Sequence, residues 1–294
     1  MFNLFMGFVN KKILWISDYD LDTAPGGAQR SDKLLIDKGK LLGLNILKVN
    51  HKSLKDISSF DYFDVIVSSN LAQINYSYPN IIDRIANHKY HVRVEHDSNQ
   101  YLTQKDRTKL FGSCKKTFFL SDYHINFFKE AYGDIFKNVE IVLDPIDTDE
   151  FKNLNLSRSN EILYCGYIHQ GKGADAFFEY VLKNPDKQFS VSGWASDHIY
   201  HILCENVSNI NFLGLTKYED MPKLYNSYKT MFYSPVVREP FCRAVAEAVL
   251  CGTEIITDKE NQIGCLKELS KLGIKEFSKQ CKEAPYTFWS KIQK

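Results

Sequence analysis

Short runs of β-branched and aromatic residues alternate with stretches of helical periodicity along almost the whole chain, and this alternation restricts the fold more than any other feature. The runs fall near residues 12–17, 45–49, 63–68, 90–95, 116–120 and 139–143, and again near 161–165, 188–192, 210–213, 230–234 and 253–257. Strands that alternate with helices read as βαβ units, which build parallel sheets covered by helices. The expected fold class is therefore α/β. The dipeptide Asp144-Pro145 and the polar run Lys152-Asn-Leu-Asn-Leu-Ser-Arg-Ser-Asn160 separate the two sets of strands and predict a domain boundary. With 294 residues, of which 44% are hydrophobic, two cores can form. The predicted organisation is a first Rossmann-like domain over 1–148 and a second over 149–280. A terminal helix over 281–294, carrying Phe288 and Trp289, has no evident place in the second sheet.

Composition narrows the function classes. The net charge of +1 supplies no global field that would draw the chain to nucleic acid or anionic lipid. Seven cysteines, at 114, 165, 204, 242, 251, 265 and 281, show neither CxxC nor zinc spacing and read as reduced thiols, most of them in the core. The opening MFNLFMGFVN is apolar but lacks a basic flank and is too short to span a bilayer, so it reads as a strand preceding the first domain. No transmembrane segment is expected, and the expected location is cytoplasmic. His88 with His91, and His198 with His201, have i,i+3 spacing without a third ligand nearby in sequence. The Asp-x-Asp spacings at Asp18-Tyr-Asp20, Asp20-Leu-Asp22 and Asp147-Thr-Asp149 are the remaining metal candidates, and the expectation is no metal.

The chemistry concentrates in Glu239-Pro-Phe-Cys-Arg-Ala-Val-Ala-Glu247. Phe241, Ala244, Val245, Ala248 and Val249 recur at helical spacing, which predicts a helix beginning near Pro240. Glu239 would then sit at a helix mouth, where free amides and the helix dipole suit a phosphate. Glu247 would lie about two turns further in, on the order of 12 Å along the axis. Two carboxylates with amides between them suit a long ligand carrying sugar hydroxyls, a diphosphate and ribose hydroxyls. Spacing alone equally allows an exposed Arg243–Glu247 ion pair at i,i+4, with Glu239 as an ordinary dipole acid.

The segment from Tyr233 to Ile256 resembles the E-x7-E signature of the retaining family-4 (group 1) nucleotide-sugar glycosyltransferases, whose GT-B fold has two Rossmann-like domains facing a central cleft. Other pieces follow in the family's order. The first βα turn, Ala24-Pro-Gly-Gly-Ala-Gln-Arg-Ser31, opens a helix with Leu34, Leu35, Leu41 and Leu42 on one side and resembles the family's glycine loop. Glycines there let backbone approach a ligand closely and accept unusual dihedrals, although such pairs are also common in plain turns. Val92-Arg-Val-Glu-His-Asp97 ends a strand at His96, open to a ligand role or to satisfaction by a loop carbonyl. Tyr164-Cys-Gly-Tyr-Ile-His-Gln-Gly-Lys-Gly173 resembles the strand, Gly-Arg and Lys-Gly of the family, with Tyr167 where the family has a cation. Pro240 and Cys242 replace small glycines, Asp144-Pro-Ile-Asp147 replaces Asn-Gly before the Asp, and Ile210-Asn-Phe-Leu-Gly-Leu-Thr216 resembles the base-contacting loop.

The resemblance implies transfer of a sugar, with retention and without metal or other cofactor, from a nucleoside-diphosphate sugar to an unidentified glycan, lipid-linked sugar or small molecule. His96, Glu239 and Lys172 would be catalytic. The donor would be held by Gly27, Gly166, Tyr167, Lys172, Gly214, Leu215, Arg238, Glu239, Phe241, Cys242, Arg243, Ala244 and Glu247. The acceptor would meet Gly26, Gly27, Arg30, His96 and Asp97. Glycosylation of a modified DNA base, which requires a basic groove and a pocket for a flipped base, and a non-catalytic nucleotide-sugar-binding module stay open as alternatives. A pyridoxal-phosphate enzyme of phosphorylase type is disfavoured because no lysine motif for that cofactor appears.

Overall fold

A computed structural model describes residues 10–97 and 102–293, so the leading strand read over the first ten residues lies, apart from Asn10, outside the described residues. The chain forms two compact units, one running to Ile146 and resuming at Lys279, the other spanning Asp147–Ser278.

Unit 1 contains β1 (Lys12–Ile16), α1 (Gly27–Leu41), β2 (Asn45–Val49), β3 (Val65–Ser68), α2 (Ala72–Ser77), α3 (Ile81–Ala86), β4 (His91–Val94), α4 (Gln104–Ser113), β5 (Lys116–Phe119), α5 (Asp122–Tyr132) and β6 (Val139–Ile141). Its strands pair in parallel in the order β2-β1-β3-β4-β5-β6. Strands β3 and β4 are buried along their whole length, as parallel strands covered on both faces are; β3 is apolar up to Ser68, whereas β4 buries His91 against Ser68 and Arg93 against Glu95. One face packs Ile13, Trp15 and Val67 against Leu35 and Ile36 of α1 and against Phe288 and Trp289 near the C-terminus. The other packs Leu14 and Ile66 against Ile74, Ile81 and Ile85.

The buried stripe of α1 is Ser31, Asp32, Leu35, Ile36 and Gly39, which corrects the expected leucine face; Leu41 is 83% exposed. The reason lies at Gly39. A Cβ there would come within 2.5–2.8 Å of Ile46 and the Trp289 indole, and Trp289 Nε1 donates to the Leu35 carbonyl at 2.7 Å. The indole, not a leucine, covers this turn.

Unit 2 contains β7 (Ser159–Ile168), α6 (Ala174–Lys183), β8 (Phe189–Ala195), α7 (His198–Asn206), β9 (Ile210–Gly214), α8 (Met221–Asn226), β10 (Tyr228–Phe232), α9 (Arg243–Leu250) and β11 (Glu254–Ile256). A final helical stretch, α10 (Gly264–Gln293), is broken by non-helical Gly273, and its residues from Lys279 onward belong to unit 1. The sheet order is β11-β10-β7-β8-β9, again all parallel. Ile162, Tyr164, Ile168 and Val191 face a core with Phe177, Phe178 and Val181 of α6. Arg158, in the polar run read as a boundary, ties the start of β7 to the Tyr228 and Cys251 carbonyls and to Asn153 and Asn226.

Each sheet starts in its interior and grows first to one side, then to the other. The switch points fall between β1 and β3 in unit 1 and between β7 and β10 in unit 2. In open α/β sheets, the crevice beyond the strand C-termini at such a point is where ligands bind. All seven cysteines are buried, and burial pushes the thiols of Cys114, Cys165, Cys242 and Cys251 up to about 12, far from thiolate reactivity at neutral pH. Among the described residues no helix is long and apolar enough to cross a membrane.

Candidate functional site

At the switch point of unit 2, the loop after β7 and the loop after β10 are stitched together. Gly171 O accepts from the amides of Val236 and Val237 at 3.1 and 3.3 Å. Gly173, at φ 85°, presses so closely on Ser234 that a Cβ would lie 2.0 Å from its carbonyl oxygen. Only glycine fits there. This contact brings Lys172, immediately before α6, to Glu239: the Lys172 ammonium donates to Glu239 Oε1 at 2.5 Å. Tyr233 OH donates to the same oxygen at 2.8 Å. Glu239 is 6% exposed whereas the Lys172 side chain is 37% exposed, so the carboxylate is the anchored partner and the ammonium the one open to solvent. Burial, with the Glu239 carboxylate nearby, holds the Tyr233 phenol far above its ordinary pKa, so it remains a hydrogen-bond donor.

Helix α9 begins at Arg243, not near Pro240, which corrects the expected helix mouth. Glu239 instead forms an isolated bridge to Ile263, with its amide on the Gln262 carbonyl at 2.8 Å and its carbonyl on the Gly264 amide at 2.9 Å. A residue held on both backbone sides by a neighbouring segment cannot join a helix. Cys242, at the N-cap, adopts φ 71°, in the left-handed region that a side chain enters at a cost of about 1–2 kcal/mol. Phe241 is 1% exposed and stacks on Phe277, with centroids 5.9 Å apart, so its side chain belongs to the core. The amides of Arg243 and Ala244 open the helix and have no acceptor within it.

Four residues into α9, Arg243 Nε donates to Glu247 Oε1 at 2.7 Å, and Tyr218 OH donates to the same oxygen at 3.0 Å. The ion pair weighed from spacing is present, but it is buried rather than exposed: Arg243 is 9% and Glu247 3% exposed. Arg243 NH2 also reaches Tyr218 OH at 3.2 Å. Of the two arginines near the loop, Arg243 is committed to this cluster and Arg238 is exposed. Tyr167, where the resemblance expects a cation, stacks between His169 and Trp194. Gly166 is at φ 127°, and Gly214, at φ 68°, ends β9 next to the exposed Leu215.

The unit 1 candidates are organised differently. His96 does not stand open to ligand; it is 7% exposed, and its Nε2 lies 3.0 Å from Asp32 of α1. Burial opposes its protonation, but the hydrogen bond and charge of Asp32, helped by Asp144 and Asp97, hold its pKa above the ordinary histidine value. Ser31 donates to Asp144 beside this pair. Gly26 caps α1 in ordinary extended backbone, φ −126°, so unusual dihedrals are not what this glycine supplies; a Cβ would instead meet its own Gln29 side chain at 2.6 Å. Asp97 is exposed and accepts from Asn70 at 2.9 Å. Arg30, one turn into the helix, is half-buried.

At the unit 1 switch point a cavity of about 420 Å³ is lined by Asp18, Gln29, Asn70, Gln73, Arg93 and Asp97. Asp18 accepts from the Ile74 amide at 2.9 Å, and burial raises its pKa. Of the other Asp-x-Asp members, Asp20 pairs with Lys48, Asp147 accepts from the Asp149 amide, and Asp22 is exposed. Among the described residues no three His, Cys, Asp or Glu side chains are grouped to hold a metal ion. His88 Nε2 donates to the Phe63 carbonyl while its Nδ1 accepts from the Tyr90 amide, His91 Nε2 hydrogen-bonds Ser68, and His201 Nε2 lies 3.3 Å from Glu205, so these three histidines serve local structure.

Tyr218 and Tyr233 were not singled out in sequence, where each reads as one more aromatic in a helix or strand. Their roles depend on partners 29 and six residues away. Asp32 is 64 residues from His96, with no local signal linking them.

No known protein-family profile matches the chain. A probable polyketide synthase 14 of Dictyostelium discoideum is 23% identical over 148 residues, which cover 45% of this chain and 5% of that protein. The chain thus spans a small fraction of the curated relative it matches. Solved structures agree in fold over nearly the full length. Anabaena HepE in complex with UDP and glucose aligns over 97% of this chain and 92% of its own, at TM-score 0.65 and 15% identity. Sucrose-phosphate synthase from Thermosynechococcus elongatus aligns over 97% and 96%, at TM-score 0.69 and 12% identity. AviGT4, a glycosyltransferase of avilamycin A biosynthesis, aligns over 96% and 95%, at TM-score 0.59 and 14% identity. The fold of this chain is the GT-B fold of these glycosyltransferases.

Proposed function

We propose that the chain transfers a sugar from a nucleoside-diphosphate sugar, a uridine diphosphate sugar foremost, to a hydroxyl acceptor with retention of configuration. The observation that carries this reading is the Lys172–Glu239–Tyr233 cluster at the switch point of unit 2. Lys172 presents its ammonium beside the N-terminus of α6, where a diphosphate gains from both the charge and the helix dipole. Arg238 supplies a second cation. Glu239, held by Tyr233, accepts hydroxyls of the sugar. Glu247 accepts ribose hydroxyls, and the backbone at Gly166, Gly214, Leu215 and from Phe241 to Ala244 lines the donor. That HepE is solved with UDP and with UDP-glucose supports the choice of uridine.

In the transfer step the bond from the anomeric carbon to the leaving phosphate oxygen breaks and the bond to the acceptor oxygen forms on the same face. The acceptor proton passes to the leaving diphosphate. No metal or other cofactor is required, because Lys172, Arg238 and helix amides meet the developing charge. The acceptor, a glycan, lipid-linked sugar or small molecule, is read at unit 1 near Gly26, Gly27, Arg30 and Asp97. The cavity beside them offers carboxylates and carboxamides suited to hydroxyl groups. His96, buried on Asp32, positions this wall rather than touching substrate.

A thermal-shift series with UDP-, GDP- and ADP-sugars tests the reading. At a hundredfold excess over Kd a specific donor adds about 2.7 kcal/mol, and Lys172→Ala removes the shift. If no nucleotide sugar stabilises the chain, the reading is wrong. Binding without hydrolysis or transfer instead points to a nucleotide-sugar-binding module, a reading that the aromatic Tyr167 in place of a cation favours.

A further inference from the structure

Beyond the diphosphate cluster, the C-terminal end of the unit 2 sheet carries three stacked rings. The ring of Tyr167 lies between that of His169, with centroids 5.2 Å apart and planes 2° apart, and that of Trp194, at 5.3 Å and 11°. Trp194 is 61% exposed, and Tyr167 and His169 are also open to solvent. The stack is built before any ligand arrives: Tyr167 and Trp194 are register partners on β7 and β8, and the Gly171 amide donates to His169 Nδ1 at 3.0 Å. A contiguous exposed aromatic surface of this kind marks a binding site rather than a core.

The occupant follows from what shares its sheet face. Side chains alternate along a strand, and Tyr164, Ile168 and Val191 face the α6 core, so Tyr167 and Trp194 stand on the opposite face with Cys165 and Ser192. On that face Cys165 lies beside Tyr225 and within the field of Glu247. Ser192 Oγ bonds Thr216 Oγ1 at 2.6 Å and the Gly214 carbonyl at 3.2 Å. The stack therefore shares its sheet face with the surroundings of the Glu247 carboxylate, a group suited to vicinal hydroxyls, and with the glycine-ended loop that follows β9. A planar ring joined to a diol is a nucleoside.

We infer that the Tyr167–His169–Trp194 stack is a nucleobase platform, with the base of the donor lying on the outer face of Trp194. The inference rests on the nucleotide-sugar reading and adds to it the residues that read the base. Base–aromatic stacking is tolerant of base identity, so the platform supplies affinity while the Gly214–Thr216 edge supplies the choice of base.

Trp194 makes the test direct. The other two tryptophans, Trp15 and Trp289, are fully buried in unit 1, so quenching by an added solute reports on Trp194. UDP should quench tryptophan emission of the full chain and protect it from acrylamide. Trp194→Ala should weaken UDP roughly tenfold in calorimetry and Trp194→Phe no more than threefold, as expected for loss and retention of one stacked base. Inorganic pyrophosphate, which lacks a base, should bind Trp194→Ala as it binds the unaltered chain. If UDP binds but leaves the emission and its acrylamide accessibility unmoved, the platform is wrong and the donor reading stands. Should Trp194→Ala fold poorly, the emission measurement on the unaltered chain still decides. If neither UDP nor another nucleotide binds in calorimetry, both readings fall.

Discussion

Replacing Glu239 by glutamine keeps the shape of the side chain and removes its charge from the centre of the proposed donor site. In the structure one carboxylate oxygen accepts from Lys172 at 2.5 Å and from Tyr233 at 2.8 Å. Lys172 is more than a third exposed, so its ion pair contributes near the surface value, about 0–1 kcal/mol. The buried Tyr233 hydroxyl loses the difference between a charged and a neutral acceptor, about 1 kcal/mol. The expected loss of stability is thus about 1–2 kcal/mol, or roughly 3–8 °C in Tm for a unit of this size. The ligand effect runs the other way. A diphosphate that engages Lys172 must compete with Glu239, and two like charges roughly 5 Å apart repel by about 3 kcal/mol at an effective dielectric constant near 20, less after solvent screening. Taking about 1 kcal/mol as the remainder, Glu239→Gln should bind UDP roughly fivefold more tightly. Its kcat/KM for sugar transfer should nevertheless fall by about 10–100-fold, because a sugar hydroxyl loses a charged acceptor worth about 1.5–3 kcal/mol. Calorimetry with UDP and with UDP-sugar, beside transfer kinetics, separates the two effects. UDP binding weakened more than threefold, or transfer left intact, refutes the assignment of Glu239 to the sugar.

Buried His91 and His124 have pKa values pushed down to about 3 by burial, against 6.5 unfolded. The unfolded chain therefore binds the extra protons, so their contribution is complete above pH 6.5 and declines by up to about 2.7 kcal/mol per pH unit for the two as pH falls toward 3. Asp18 and Glu95, whose burial raises their pKa values, oppose this loss in the lower part of the window; urea midpoints that stay level from pH 7 to 5 would refute it. His96 has the opposite sign: its raised pKa gives stability that is complete below 6.5 and is lost as pH rises through the folded value, and His96→Gln should flatten that alkaline slope. Gly193→Ala places a Cβ 1.8 Å from the Gly166 carbonyl oxygen, backbone against backbone, and should cost about 3 kcal/mol or more in chemical denaturation; a cost below 1 kcal/mol would show that the strand ends yield. Transfer activity should survive EDTA, and strict dependence on Mg²⁺ or Mn²⁺ would overturn metal-independent chemistry.

Strands such as β3 were legible because a parallel strand covered on both faces is largely apolar. Val65, Ile66 and Val67 form such a run, whereas β4 alternates Val92 and Val94 with buried His91 and Arg93. Their order in the sheet was not legible, since β7 pairs with β8 and β10 through helices whose direction spacing does not encode. The face of α1 was misread for a related reason. Leu34 and Leu41 satisfy the periodicity, but the partner of the turn at Gly39 is Trp289, 250 positions away. Gly39, in a leucine-rich helix, is the socket for that indole.

The candidate residues could be singled out by type, but the backbone that carries them was misread, and Glu239 shows why. Eight positions from Glu239 to Glu247 suggest two turns of helix only if the backbone between them is helical. Pro240 permitted that start, but Cys242 in the left-handed region and the bridge from Glu239 to Ile263 break it, and neither leaves a mark in local composition. The acid could be singled out, while its partner Lys172, 67 positions earlier, met it only once Gly173 had docked against Ser234. Glu247 carries the complementary lesson. The i,i+4 pair with Arg243 forms as local rules require, yet burial changes its meaning: an exposed pair would leave both side chains free to move, whereas this one, closed by Tyr218, fixes a carboxylate on the same sheet face as the aromatic stack. The local pairing rule and the ligand role proposed for Glu247 therefore do not compete, because the pair that satisfies the first supplies the rigidity that the second would need.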